Sequence, residues 1–554
     1  MEDYREIGKV RLNYKYYNGK DYYSDGDVAE QEMLEISQKG NWDEVLRKSD
    51  KWHILYHFSD IRKNILEWYP FDQKGTLLEI GSGCGALSGL FSEKCERVVA
   101  IELSERRSMI NAYRNSECDN LEIVVGNFKD IEFREKYDYV TLIGVLEYAA
   151  SYMGQEEPYS ALLKKAQSLL KPNGKIFIAI ENKMGMKYLN GAKEDHVGES
   201  YAGIEDYIYK KVRTFSKPEL EKLLEESGIE SFSFYYPYPD YKLPETIYTD
   251  LCIPQLGDVR LWDKNYDMPR VALYNDAIMA DQICRDSMFD YFSNSFLVVT
   301  GEDTPRVGLS HYTNIRKREY QTKTIINNAR TQVEKTYLKK SDRKYDIFSE
   351  MKDKYELLDK EFTNVHFLKP VVEENRLRYE YVEGESLESY LYKFRHTPDR
   401  MVEELIRIWK EYYACSEEYL TDFYITPEYT AMFGNSVISG ATKSYKLSNL
   451  DMLLHNLIIS DDEVYCIDYE WIVDFPIPMD FTLFRMARDY WEKYNMYFSR
   501  RYSRDAFLKA VGIKECDLQT YYKMYRDFSS YVFGKTKYIE NYKKSKGTLR
   551  IQGL

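Results

Sequence analysis

A glycine-rich turn between a short apolar run and a helix-like segment constrains this 554-residue chain more than any other feature. The run at 77–80 includes Glu79, and glycines stand at positions 81, 83 and 85 before an apolar segment at 86–91. Glycine lets the backbone bend with positive φ, and lets a ligand approach the main chain. Free N–H groups at the start of the next helix favour electron-rich ligand atoms. The stretch predicts a strand, a ligand-binding turn and a helix.

A second apolar run supports this interpretation. Residues 98–101 are apolar and are followed by Glu102, about twenty residues after the turn, where a nucleotide-binding fold places a carboxylate against a ribose. The same spacing fits a dinucleotide-binding oxidoreductase, so the later strands must decide between the two cofactor classes.

Those strands resemble the class I S-adenosylmethionine (SAM) methyltransferases. Glu79, Gly81, Gly83 and Gly85 match the first motif of that family, acid-x-Gly-x-Gly-x-Gly. Residues 121–128 resemble its adenine-contacting strand end, with Asn127 where Asp is common, and residues 137–148 and 169–180 resemble its fourth and fifth strands. The resemblance implies an α/β, Rossmann-like domain over 51–302, with 1–50 as an N-terminal cap segment and SAM as cofactor. The residues that it assigns to SAM are Glu79, Gly81, Ser82, Gly83, Gly85, Glu102, Leu103, Asn127, Phe128 and Gly144.

Polar residues follow the fifth strand. The run at 181–183 is Glu-Asn-Lys, and Glu194, Asp195 and His196 come shortly after it. Open α/β sheets bind ligands at the carboxyl ends of their strands, so this cluster either shapes an acceptor pocket or forms a solvated insertion. Adjacent residues seldom point at one centre, which argues against a metal site made of residues 194–196 alone. Before the glycine turn, Ser49 and Asp50 predict the start of a helix over about 52–65, whose Tyr56, His57 and Arg62 are candidates to line the SAM pocket.

A second group of motifs lies beyond residue 330. Asp451 and Asn456 form Asp-x-x-x-x-Asn, and the following apolar strand ends in Asp468. Protein-kinase-like folds use this arrangement for phosphoryl transfer. The sequence resembles small-molecule kinases of the aminoglycoside and choline type, which implies an α+β kinase-like domain over 303–554 that uses ATP and Mg²⁺.

The kinase resemblance assigns a role to each motif residue. Asp451 would be the catalytic base, and Asn456 and Asp468 would hold Mg²⁺. The other residues that it assigns to ATP are Lys335, its helix partner Glu350 (or Glu356), and Glu380 and Val382 in a hinge. Two features depart from the pattern: Asn449 stands where His is usual, and no glycine-rich loop precedes the strand, so residues 310–314 would have to cover the phosphates.

Composition narrows the choice of partners. The net charge of −14 argues against a nucleic-acid substrate. We find no signal peptide and no apolar run of membrane-spanning length, although peripheral membrane association stays open. The eight scattered cysteines favour reduced, cytoplasmic thiols. The 53 tyrosines suit a carbohydrate partner, because aromatic rings pack on sugar faces, but a lineage bias in composition explains them equally well.

The order of the two domains resembles the bifunctional methyltransferase–kinases that terminate O-antigen polysaccharides. The resemblance implies ATP-dependent phosphorylation of a glycan hydroxyl and SAM-dependent methylation of the acceptor, including the new phosphate as a target. Two alternatives stay open. In the first, the chain is a sugar or small-metabolite O-methyltransferase with a non-catalytic kinase-like binding module. In the second, both domains are active and modify separate groups on one polymer. No heptad repeat follows residue 500, so a length-measuring coiled coil is not predicted.

Overall fold

A computed structural model describes residues 3–21, 26–154, 156–208, 211–259, 270–302, 307–339, 345–438, 442–534 and 549–550. The chain divides into two compact units. The first unit is Met1–Tyr312 with Thr536–Leu554, and the second unit is Thr313–Lys535. The division therefore falls at residue 312, somewhat after the predicted domain boundary at 302.

The first unit is built on one sheet. Its strands are β1 (Tyr4–Ile7), β2 (Val10–Tyr16), β3 (Thr76–Ile80), β4 (Arg97–Glu102), β5 (Leu121–Gly126), β6 (Tyr137–Ile143), β7 (Leu170–Glu181), β8 (Phe232–Tyr238), β9 (Thr246–Thr249), β10 (Val271–Ala272), β11 (Ser295–Thr300) and β12 (Leu309–Tyr312). Apart from β10, they lie side by side in the order β1-β2-β5-β4-β3-β6-β7-β11-β8-β9-β12. The five strands from β5 to β7 are parallel. This is the doubly wound arrangement, in which the strand order reverses between β3 and β6 and ligands bind at that point.

The sheet is antiparallel beyond β7. β8 and β11 pair with each other antiparallel, and β11 also pairs antiparallel with β7. The Rossmann-like prediction for this region is confirmed.

The N-terminal segment differs from the prediction of a cap. β1 and β2 form an antiparallel hairpin, and β2 pairs parallel with β5. Apolar side chains alternate along residues 10–16, and Val10, Leu12 and Tyr14 are buried. This part of the 1–50 segment therefore extends the sheet, because pairing satisfies the backbone N–H and C=O groups that an edge strand would leave unpaired.

Helices cover the sheet. Those of the first unit are α1 (Asp27–Lys39), α2 (Trp42–Lys48), α3 (Trp52–Phe58), α4 (Asn64–Glu67), α5 (Ser88–Lys94), α6 (Glu105–Arg114), α7 (Ala149–Tyr152), α8 (Pro158–Ser168), α9 (Met186–Leu189), α10 (Lys217–Glu226), α11 (Asp276–Arg285) and α12 (Phe289–Phe292). The single helix predicted over 52–65 is broken: α3 ends before Ser59, whose hydroxyl accepts from the Ile61 N–H and starts a 3₁₀ turn. At the start of α10, Ser216 and Glu219 form a capping box.

The core of the first unit follows from the strand sequences. Leu78, Val140 and Ile178 are fully buried members of one apolar cluster beneath the helices. Parallel strands buried on both faces are near-continuous apolar runs, which is the pattern seen in the sequence. Burial of each such side chain is worth about 1.5–3 kcal/mol.

The second unit has shorter strands and longer helices. Its strands are β13 (Thr322–Ile326), β14 (Gln332–Tyr337), β15 (His366–Phe367), β16 (Val371–Glu373), β17 (Arg376–Glu380), β18 (Glu385–Ser386), β19 (Leu420–Asp422), β20 (Lys443–Tyr445), β21 (Ser448–Asn449), β22 (Leu457–Ser460), β23 (Glu463–Cys466), β24 (Ile472–Val473) and β25 (Ile477–Pro478). Its helices are α13 (Ile347–Glu361), α14 (Leu387–Tyr392), α15 (Pro398–Tyr412), α16 (Pro427–Phe433), α17 (Met479–Phe498), α18 (Arg504–Ala510) and α19 (Leu518–Phe533).

The topology of the second unit places its motifs. β13, β14, β17 and β16 are neighbours in that order, and all are antiparallel. A second small sheet, with the order β15-β23-β22-β18, carries the strand before Asp468. The residues expected to cover the phosphates are placed differently, because Ser310 and His311 lie on β12 and pair with β9 in the first unit.

Tyrosine has a large structural role here. Nine of the largest fully buried side chains are tyrosines: Tyr236, Tyr392, Tyr413, Tyr429, Tyr445, Tyr469, Tyr490, Tyr494 and Tyr521. Core packing therefore accounts for part of the tyrosine content on which the carbohydrate argument rested. In the part of the chain that the structure describes, no helix combines the length and the apolar character needed to cross a bilayer.

Candidate functional site

The glycine turn after β3 is held by the neighbouring strand. The amides of Gly81 and Ser82 both donate to the Ile101 carbonyl at 2.9 Å, and the Gly83 N–H donates to Glu102 Oε2 at 2.8 Å. Gly81, Gly83 and Gly85 all have positive φ, between 54° and 73°, a region that residues with a Cβ rarely adopt. The turn therefore needs glycine, and Glu102 fixes its backbone.

A cavity of about 530 Å³ opens beside this turn, at the carboxyl ends of the strands. Eight of the ten residues assigned to SAM line it: Gly81, Ser82, Gly83, Glu102, Leu103, Asn127, Phe128 and Gly144. Tyr56, His57 and Arg62, expected from the helix before the turn, line it as well. The cavity has the size of a small-molecule site and lies where the strand order reverses.

Two assigned residues, Glu79 and Gly85, are absent from the cavity wall. The Glu79 carboxylate is buried and accepts from Ser88 Oγ at 2.5 Å, and burial raises the pKa of Glu79 to about 8. A Cβ at Gly85 would lie 2.2 Å from Asn111 Oδ1. Glu79 does not reach the cavity because alternate side chains of a strand point to opposite faces, and its neighbour Ile80 lines the cavity instead. Gly85 is needed for the close approach of the turn to Asn111.

The other end of the cavity is polar. Glu147, Asp195, His196 and Lys242 line it, so two residues of the predicted polar cluster reach the cavity wall. Glu194 lies behind them and accepts from His196 Nδ1 at 2.8 Å. Glu181, at the end of β7, is fully buried and pairs with Lys242 at 2.7 Å.

The charges at this end are strongly coupled. Burial raises the pKa of Glu147. Burial alone would lower the pKa of His196, but Glu181, Glu147 and Glu194 together hold it well above its usual range. Lys242 also pairs with Asp195 at 2.6 Å, so the cation is balanced by two carboxylates.

The second unit brings most of its predicted residues together. Lys335 on β14 is buried, and its Nζ lies 2.8 Å from Asp468 Oδ1 and 2.7 Å from Glu470 Oε1. Carboxylate oxygens of Asp451, Asp468 and Glu470 lie within 4.8 Å of one another. Asn456 donates to the backbone carbonyl of Asp451 at 2.8 Å, which fixes the loop between the two motif residues.

Glu470, two residues after Asp468, has no role in the sequence prediction. It pairs with both Lys335 and Arg316. Burial alone would raise the pKa of Glu470, but these two cations lower it to about 2. Burial together with Asp468 and Glu470 raises the pKa of Asp451 to about 7, although Arg485 and Arg316 oppose this. A cluster of three carboxylates and flanking cations is suited to bind a divalent ion and a phosphate.

The predicted helix partner of Lys335 is not at this cluster. Glu350 on α13 pairs with Lys354, one turn later on the same helix, at 2.5 Å. Glu356, the other candidate, is exposed and accepts from Tyr355. The acidic partners of Lys335 come from the segment after β23 instead. In the hinge, Glu380 is exposed and Val382 half-buried, and the Tyr381 N–H donates to the Thr331 carbonyl at 3.1 Å.

Residues 52–232 match the sequence profile of a family described as "Methyltransferase domain". These residues form a class I methyltransferase domain. The match contains the glycine turn, Glu102, Asn127 and the polar residues 181–196. Most of the cavity wall therefore lies in the methyltransferase domain, and Tyr241 and Lys242 complete it from beyond the matched residues.

Curated relatives and solved structures are similar to parts of the chain. An uncharacterized methyltransferase of Staphylococcus carnosus is 33% identical over 106 residues, which are 19% of this chain and 46% of that protein. The cypemycin N-terminal methyltransferase of a Streptomyces species is 32% identical over 110 residues, 20% of this chain and 42% of that protein. The chain thus spans less than half the length of these relatives. A methyltransferase solved with the Haloferax volcanii Trm112 activator is 19% identical with a TM-score of 0.27, covering 49% of this chain and 96% of that one.

Proposed function

We propose that the methyltransferase domain binds SAM and transfers its methyl group to an oxygen atom of an acceptor. The observation that carries the proposal is the cavity itself, in which the glycine turn, Glu102 and the β5 end at Asn127 meet at the point where the strand order reverses. Glu102 is the group suited to a ribose. Its carboxylate, which accepts from Gly83 and Ser104, also fixes the turn.

For the acceptor we propose a glycan or another sugar-containing molecule, with methylation of a hydroxyl or of a phosphate on it. Tyr56, Tyr148 and Tyr241 line the cavity, and aromatic rings pack against sugar faces while their hydroxyls bond at the edge. A phosphate oxygen is already anionic near neutral pH. Such an acceptor needs positioning more than a general base.

SAM binding is tested by thermal denaturation of the full chain with SAM and with S-adenosylhomocysteine. A ligand present at 100 times its dissociation constant stabilises the folded state by about 2.7 kcal/mol, which raises the melting temperature by several degrees. Gly83→Arg should abolish this shift, because Gly83 has a φ of 54° at the cavity wall. Glu93→Arg, an exposed change on α5, is the matched control and should keep it. No shift in the parent protein would refute the proposal.

A second proposed activity is phosphoryl transfer in the second unit, from Mg²⁺-ATP to a glycan hydroxyl. The observation that favours it is the joint placement of Lys335, Asp451 and Asp468. In this proposal Asp451 accepts the proton of the attacking hydroxyl, Asp468 and Asn456 hold Mg²⁺, and Lys335 binds the phosphates. Asp451→Asn should keep the thermal shift with Mg²⁺-ATP and lose turnover, whereas Asp468→Asn should lose both. A parent protein that never responds to Mg²⁺-ATP would leave the second unit as a binding module.

The two proposals combine into one bifunctional enzyme of surface-polysaccharide modification. If the methyl acceptor is the new phosphate, methyl transfer to a glycan should require prior incubation with ATP and an intact Asp451. If instead the two units modify separate groups, the Asp451→Asn variant should methylate the same glycan at the rate of the parent protein. A labelled methyl group on isolated oligosaccharides, counted with and without ATP, distinguishes these outcomes.

A further inference from the structure

Three side chains at the polar end of the cavity are arranged as the ligands of a divalent metal ion. Oxygen atoms of Glu147 and Glu181 and a ring nitrogen of His196 all lie within 4.8 Å of one another. Glu147 and Glu181 are almost fully buried. The three residues come from different places: the loop after β6, the end of β7 and the loop after α9.

The distances around His196 are long for hydrogen bonds. Its Nε2 atom lies 3.4 Å from Glu147 Oε1 and 3.7 Å from Glu181 Oε2, beyond the usual N–H···O range of about 2.7–3.2 Å. Two ligands bound to one tetrahedral ion at about 2.1 Å are about 3.4 Å apart. The spacing therefore fits two ligands of a shared ion better than a direct hydrogen bond.

The outer contacts also fit a metal ligand. Glu194 accepts from His196 Nδ1 at 2.8 Å, while its second oxygen accepts the amides of His196 and Val197. A metal-binding histidine commonly donates its other ring N–H to a carboxylate in this way. Glu181 offers Oε2 toward His196 and binds Lys242 with Oε1, so its carboxylate is also oriented.

An independent observation points to a missing ligand. Glu147 Oε2 is buried and has no hydrogen-bond partner among the described residues, and Glu147 is only 1% exposed. Such a group costs free energy unless something binds it. Glu147 and His196 also line the cavity, so an ion held by them would keep one coordination position open toward the cofactor site.

We propose that Glu147, Glu181 and His196 bind one divalent transition-metal ion, such as Zn²⁺ or Mn²⁺, whose open position takes an oxygen of the methyl acceptor. One imidazole with two carboxylates is a ligand set suited to these ions. Bound there, the ion would orient a hydroxyl or phosphate oxygen and lower the pKa of a hydroxyl. Metal binding stands independently of the activity proposed above, whereas this role toward the acceptor rests on it.

The test titrates Co²⁺, as a visible-light probe for Zn²⁺, into the full chain after chelator treatment. The variant Asp468→Asn is included because the second-unit cluster is an alternative site, and this change removes one of its three carboxylates. We expect one tight equivalent with ligand-field absorption in the parent and in Asp468→Asn. We expect its loss in His196→Gln and Glu147→Gln, and a 10–100-fold weaker affinity in Glu194→Gln. Glu93→Gln is the charge-matched control and should bind as the parent does.

Folding and the proposed activity are followed separately. Circular dichroism and the SAM-induced thermal shift of each variant report whether the domain is intact. Unchanged Co²⁺ absorption and stoichiometry in His196→Gln, or no uptake of Co²⁺ or Zn²⁺ at micromolar concentration by the parent, would overturn the metal site. A parent that binds Co²⁺ but never SAM would instead refute the proposed methyl transfer and leave the metal site standing.

Discussion

Glu361, at the end of α13, should make the stability of the second unit fall as the pH rises. Its side chain is only 1% exposed, and its Oε1 atom has no hydrogen-bond partner among the described residues. Burial raises the pKa of Glu361 to about 8, even though the backbone N–H of Leu447 and the charge of Lys446 lower it. The folded unit therefore holds this carboxyl in its neutral form at neutral pH.

The size of the effect follows from the two pKa values. In the unfolded chain a glutamate titrates near 4.3. Between about pH 4.3 and 8 the folded state keeps a proton that the unfolded state has released, so the free energy of unfolding decreases as the pH rises through this window. The stabilisation is fully present below about pH 4.3 and is lost by about pH 8. Each unit of pKa difference is worth about 1.4 kcal/mol, which sets an upper bound of about 5 kcal/mol.

The perturbation is Glu361→Gln, which removes the titration and keeps the shape of the side chain. We expect the melting temperature of this variant, relative to that of the parent, to rise by several degrees between about pH 5.5 and 8.5, since 1 kcal/mol shifts the melting of a domain of this size by about 2–4 °C. Differential scanning calorimetry across this pH range measures it. Glu356→Gln, an exposed position on the same helix, is the matched control. A difference that stays constant with pH, or that grows equally in the control, would refute the reasoning.

Three further predictions follow from single contacts. Gly85→Ala should lower the melting temperature at least twice as much as Gly83→Ala. Both variants carry the cost of positive φ, about 1–2 kcal/mol, but only a Cβ at Gly85 would collide with Asn111, at 2.2 Å. Equal losses in thermal melts would contradict this. Ser216→Ala removes the capping box of α10 and should cost about 1 kcal/mol, measured by the same melts, whereas no loss would mean that the cap is not needed. Lys335→Met takes the lysine from Asp468 and leaves Glu470 its pair with Arg316, so it should destabilise by about 1–3 kcal/mol. Added Mg²⁺ should restore more stability to this variant than to the parent, and an equal response would argue against ion binding at the cluster.

Local patterns predicted the fold of the first unit well. The run at 77–80, the glycine turn and the run at 98–101 became β3, the turn and β4, because a buried parallel strand is apolar over its whole length and glycine is needed at positive φ. The N-terminal hairpin was not predicted as part of the sheet. Pairing of β2 with β5 joins residues more than a hundred positions apart, and the alternating pattern of β2 does not identify its neighbour.

The candidate cofactor residues were predicted where the backbone itself forms the site. Gly81, Gly83 and Asn127 come directly after strand ends, and this backbone position alone places them at the cavity. Glu79 did not, because its position within β3 decides which face its side chain occupies, and the motif alone does not show which face carries the ligand.

The partner of Lys335 shows a second limit of prediction from sequence. A lysine on a strand and a glutamate on the next helix can be paired from a family pattern, but the contact is tertiary. The sequence did contain the competing signal, because Glu350 and Lys354 are four residues apart on one helix and such pairs attract each other. A glutamate with a lysine at this spacing is therefore less available to a distant lysine.

The residues that sequence reasoning undervalued share one property. Glu181 ends the apolar strand β7, Glu147 follows β6, and Glu470 lies two positions after Asp468 behind β23. Each is an acid just past a buried strand, and each is almost fully buried. A carboxylate in that position loses its hydration and persists only with a cation, a donor or an ion beside it. The same rule that selected Glu102 and Asp468 therefore selects these three. At the ends of β6, β7 and β23, it identifies carboxylates of both clusters from which the sites proposed above are built.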